Sequence, residues 1–130
     1  MTEHSRKYRT IAQKLIKGHP KLETIRDYKP RIAYAAAQEE KHKGGKTIFG
    51  QCRLVSKEYR WLVPYDFIIT IYEPNVIDFS EKALEILVYH ELRHIGVNDT
   101  GREPHFYIVP HDIEDFEDIL REHGIDWQVS

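Results

Sequence analysis

The 130-residue chain is 41% hydrophobic and 31% charged, and carries 19 Lys and Arg against 21 Asp and Glu. That composition fits one soluble globular domain, and no apolar run reaches membrane-spanning or signal-peptide length, so a cytoplasmic location without membrane contact is expected. The single cysteine, Cys52, excludes an internal disulfide and a thiolate metal site, leaving it a packing role in a strand.

The charge is strongly polarised. Residues 1–65 hold 15 Lys and Arg against 6 Asp and Glu, a balance of +9, whereas residues 66–130 hold 4 against 15, a balance of −11. Two oppositely charged halves can attract one another on folding. Alternatively, the basic N-terminal half can contact an anionic partner such as nucleic acid.

In chain order, residues 6–17 (RKYRTIAQKLIK) place Tyr8, Ile11, Ala12, Leu15 and Ile16 at spacings of three and four, predicting an amphipathic helix with a basic outer face. Gly18, His19 and Pro20 end it, and a short linker follows. The Ala-rich stretch 32–43 (IAYAAAQEEKHK) predicts a second helix with cations near its C-terminus, broken by Gly44 and Gly45. Residues 47–55 (TIFGQCRLV) and 66–72 (DFIITIY) predict strands, being β-branched or aromatic and bounded by Gly or Pro. The second is apolar on both faces and predicts packing on two sides; it is either a central strand or an edge template for an extended peptide.

Ser80 and Glu81 form a helix start, and the apolar pattern of residues 83–95 predicts a helix closed by Gly96. Residues 98–102 (NDTGR) predict a turn, 106–109 a short extended segment, and 112–123 an acidic helix ended by Gly124. There is no internal repeat or domain boundary. The expected architecture is one α+β domain over residues 1–130, with a basic N-terminal helix and linker to residue 30 and a core over 31–124.

Within the third helix stands His90-Glu91-Leu92-Arg93-His94, the pattern H-E-x-x-H. Residues four apart on a helix lie about 40° apart around its axis, so both imidazoles can share one metal ion. Glu91 is offset by about 100° from His90 and about 60° from His94, a position from which a carboxylate can act as general base without being a ligand. With eight His in the chain, chance supplies the pattern only about 0.05 times. A catalytic zinc takes three protein ligands and keeps one position open. His111 is the foremost candidate for the third, at the entrance to the last predicted helix; His105, Glu114 and Asp115 are the alternatives. Tyr107, His105 and Arg93 are candidate oxyanion donors, and Asp112, Asp115 or Glu85 could orient a ligand imidazole.

HELRHIGVND, the later PHDIEDF, and the preceding GQCRLVS and YDFIITI together resemble the phage-type metallopeptidase family over about residues 31–124. Arg93 departs from that pattern, which has a small or sulfur-containing residue there. The resemblance implies a zincin-like α+β fold with a strand bordering the cleft and one zinc ion per chain. His90, His94 and the histidine of HD-x-E-x-F, here His111, would be the ligands, and a peptide or protein the substrate. Two other readings use the same residues: a hydrolase of non-peptide amides or esters, and a nucleic-acid-associated binding module with a structural metal.

Overall fold

A computed structural model describes residues 1–110. Its frame is a four-stranded sheet in the order β1-β2-β6-β5, formed by β1 (Thr2–His4), β2 (Ile32–Ala37), β5 (Gly50–Leu54) and β6 (Phe67–Tyr72). The strand pair β2 and β6 is parallel, whereas β1 on β2 and β5 on β6 are antiparallel. Helices α1 (Arg6–Gly18) and α3 (Glu81–Leu92) pack on each other, α1 also on β2 and α3 also on β5. A mixed α+β architecture therefore stands as expected.

Helix α1 begins where Ser5 Oγ accepts the Tyr8 amide at 3.2 Å, and it buries Tyr8 and Ala12. Those two residues join Phe67, Ile69 and Ile71 of β6 and Leu87, Val88 and Leu92 of α3 in one core. Alternation along β6 sends Phe67, Ile69 and Ile71 to the helical face while Ile68 and Thr70 remain half-buried. With β2 and β5 on its two sides, β6 is a central strand and not an edge template. At its mouth the buried Asp66 accepts the Arg31 amide at 2.8 Å and lies 3.7 Å from Arg60 Nε, which ties the start of β6 to the chain entering β2. Cys52 sits half-buried in β5, as its packing role requires.

The Ala-rich stretch is the clearest departure from expectation. Residues 32–37 form strand β2, not a helix, because helix propensity is worth only tenths of a kcal/mol per alanine and an interior sheet position outweighs it. Tyr34 and Ala36 face the core while small side chains alternate on the other surface. Residues 42–47 then make a tight hairpin, β3 (His42–Lys43) and β4 (Lys46–Thr47), whose turn glycines Gly44 and Gly45 have φ of 59° and 78°. Both positive angles match the turn that suits the twist of paired strands, a conformation costly for side chains with a Cβ. Between the first helix and β2, what reads in the sequence as linker contains the short helix α2 (Glu23–Tyr28).

Helix α3 starts as predicted, with Ser80 Oγ accepting the Ala83 amide at 3.1 Å. It ends earlier than predicted, at Leu92. Residues Ile95–Asn98 form β7, paired antiparallel with β8 (His105–Ile108), and Gly96 belongs to that hairpin instead of closing the helix. The predicted helix over 112–123 lies outside the described residues. Among those described, no helix is long and apolar enough to cross a membrane.

Candidate metal centre

The last turn of α3 places the motif. His90 and Glu91 are helical, and His94 falls in the turn that follows, where the Arg93 amide bonds the Tyr89 carbonyl at 3.0 Å and the His94 amide bonds that of Glu91 at 3.1 Å. Although His94 is beyond the helix, this turn keeps it beside His90, their ring centroids 5.0 Å apart and nearly perpendicular. One ligand atom from each of His90, Glu91 and His94 lies within 4.8 Å of the others. Two imidazoles and a carboxylate thus meet within the reach of a single divalent ion.

Glu91 is buried, its side chain only 5% exposed, while that of His94 is 18% exposed. Burial alone raises the Glu91 carboxyl to about 8 from an ordinary 4.5, since the charged form loses its hydration. Its Oε1 lies 3.9 Å from His94 Nε2.

A main-chain group orients His94. Its Nδ1 lies 2.8 Å from the Val109 carbonyl, and the Val109 amide bonds the His94 carbonyl at 2.6 Å. A carbonyl only accepts, so Nδ1 carries the proton and Nε2, on the Glu91 side, carries the lone pair a metal requires. For His94 the acceptor among the described residues is thus the Val109 carbonyl and not Glu85. Glu85 instead lies 3.9 Å from Lys82 and lines a small cleft against α1; Asp112 and Asp115 are outside the described residues, as are His111 and Glu114.

His105 opposes Asn98 at the far end of the β7 and β8 hairpin, three residue pairs from Ile95, and is exposed. Arg93 donates to the Tyr89 hydroxyl at 2.8 Å. Tyr107 lies across Gly96, where an added Cβ would come within 2.5 Å of its ring.

One contributor is invisible in the motif. Edge strand β5 crosses α3 at Gly50, where an added Cβ would stand 3.3 Å from Glu91 Oε2 and 3.1 Å from Ile71 Cδ1. Only hydrogen fits comfortably there, so Gly50 lets the strand run against the carboxylate. A glycine inside the predicted strand 47–55 is the signal the sequence offers, but nothing in the sequence joins it to Glu91.

The family model described as "Putative phage metallopeptidase" matches residues 1–130. The chain belongs to that family. Its match extends over the N-terminal thirty residues, where α1 supplies Tyr8 and Ala12 to the shared core of this metallopeptidase family member. No curated protein and no solved structure matches the chain.

Proposed function

We propose that this chain is a zinc-dependent peptidase of zincin-like construction, with His90, His94 and His111 as ligands of one zinc ion and Glu91 as general base. The observation carrying the proposal is the buried Glu91 carboxylate held between strand β5 and the His94 imidazole, with His90 completing a cluster within 4.8 Å. Membership in a metallopeptidase family makes a peptide or protein the expected substrate class.

Support for His111 comes from chain connectivity. It follows Val109, the residue bonded to His94, by two positions, and each residue spans at most about 3.6 Å, so it is tethered within reach of the centre. The alternative His105 stands exposed at the hairpin's far end, opposite Asn98.

Zinc, when bound, supplies a Lewis acid that polarises the scissile carbonyl and acidifies water. The residues do the rest. Glu91 takes a proton on a carboxylate oxygen as water attacks and returns it to the leaving amine nitrogen. His94, fixed by Val109, keeps its lone pair on the Glu91 side. Among the described residues β5 is an edge of the sheet, so its outward main-chain groups can hold an extended peptide by adding it as a further strand.

Zinc content per chain, in protein prepared without a histidine tag, tests the ligand set. One zinc in the parent, lost in His94→Ala and weakened in His111→Ala but not in His105→Ala, is expected. Retention in His111→Ala and loss in His105→Ala would reassign the third ligand.

A further inference from the structure

Helix α1, the end of α2 and the start of β2 enclose a cleft of about 1110 Å³. Along one wall, Arg6, Arg9, Gln13 and Lys17 follow at spacings of three and four, so a single face of α1 presents three cations. The facing wall brings Arg26, Lys29 and Arg31, and no Asp or Glu lines the cleft among the described residues. Arg26 is committed to the Ile16 and His19 carbonyls, both at 2.7 Å, and Arg31 to Asp66 at 3.4 Å. Arg6, Arg9, Lys17 and Lys29 have no carboxylate partner among the described residues. The mutual attraction of the two charged halves therefore leaves this concentration of cations unneutralised there: the ion pairs joining the halves among described residues are those of Arg31 and Arg60 with Asp66.

Lys29 stands at a strained backbone position in the same cleft. It caps α2 in the left-handed region, φ 48°, and is the one non-glycine residue with positive φ among those described. Glycine is the relaxed choice at such a position; the lysine there carries a conformational cost and adds its cation to the cleft lining. At the cleft's rim the His4 and Tyr65 rings lie 6.0 Å apart, and a smaller depression lined by Leu62, Pro64 and also Glu3 adjoins them.

We infer that this cleft, on the α1 and β2 side of the fold, binds single-stranded nucleic acid, its four available cations on the phosphates and the rim rings under the bases. A basic groove that follows the backbone beside aromatic faces is what sequence-tolerant single-strand binding requires. A carboxylate-rich peptide would use the cations but leave the rings without planar partners. This second site is independent of the metal centre.

The test is fluorescence anisotropy of a labelled dT15 oligonucleotide titrated with the full-length chain in chelator-containing buffer, across a salt series. Four phosphate contacts predict a slope of log K against log salt of about −3, at about −0.7 per contact on a single strand. Arg9→Gln combined with Lys17→Gln should weaken binding at least tenfold and reduce the slope to about −1.4, while zinc content stays unchanged. Both residues are solvent-exposed on α1, and an unaltered circular dichroism spectrum separates loss of contact from loss of fold. Absence of binding at low salt, or an unchanged slope in the double variant, would overturn the inference. So would equal displacement of dT15 by the acidic peptide DIEDFED (residues 112–118), or tighter binding of the duplex than of the single strand.

Discussion

His94 and Val109 hold each other twice, through a 2.6 Å bond from the Val109 amide to the His94 carbonyl and a 2.8 Å bond from the His94 imidazole to the Val109 carbonyl. The first closes the junction between β7 and β8; the second sets the tautomer of a motif histidine. One residue thus couples the hairpin to the cluster of His90, Glu91 and His94. At alkaline pH, long-range proton–nitrogen NMR of metal-free protein should show His94 protonated at Nδ1, in slow exchange with water. Protonation at Nε2 would contradict the assigned orientation.

Gly50 tests the contact between strand and base. In Gly50→Ala the new methyl would press on Ile71 Cδ1 at 3.1 Å and on Leu87 Cδ1 and Glu91 Oε2 at 3.3 Å. Overpacking of this kind costs about 1–3 kcal/mol, read as a lower midpoint in urea. Displacement of the carboxylate should lower kcat more than it raises KM. Full stability and unchanged kcat would show that β5 does not confine Glu91.

The buried carboxyl also makes the metal-free fold sensitive to pH. Glu91 has a folded-state pKa of about 8, above its ordinary 4.5, so it disfavours the folded state wherever the unfolded chain would ionise it. Its stabilising preference is complete below pH 4.5 and is lost as pH rises towards 8. Between those limits, unfolding free energy should fall by up to about 1.4 kcal/mol per pH unit. Glu91→Gln should flatten that portion of the profile. Equal slopes in parent and variant, measured by urea unfolding with chelator present, would place the carboxyl in a better-hydrated setting.

Much of this arrangement was legible because its signals are local. Ser80 at a cap, the 3.6-residue rhythm of α1 and α3, and the apolar β6 each reflect forces acting within a few residues. His90 and His94 were legible as a pair because four residues make one helical turn, and they remain together although His94 falls past the helix end. What stayed hidden is long-range. Ala33 to Ala37 read as helix because alanine's weak preference was visible and the flanking strands β1 and β6 were not. Gly96 read as a helix stop because its partner Tyr107 lies eleven residues away across a hairpin. The Val109 carbonyl could not be seen at all, since every residue has one and only the fold decides which meets an imidazole.

Lys29 should show a trade between stability and binding. Left-handed backbone costs a side chain with a Cβ about 1 kcal/mol, which glycine avoids. Lys29→Gly should therefore raise the thermal midpoint by a few degrees. The same change removes one cation from the basic cleft and should reduce the salt slope for dT15 by about 0.7. A destabilised variant would mean that the lysine side chain is itself a structural support.

The most direct test of the central claim is hydrolysis of an unstructured protein substrate by zinc-loaded parent and by zinc-loaded Glu91→Gln, with metal content measured on the same samples. General-base catalysis predicts equal zinc in both and at least a hundredfold loss of hydrolysis in the variant. Equal hydrolysis by the two proteins at equal zinc would contradict the account by removing Glu91 from the mechanism.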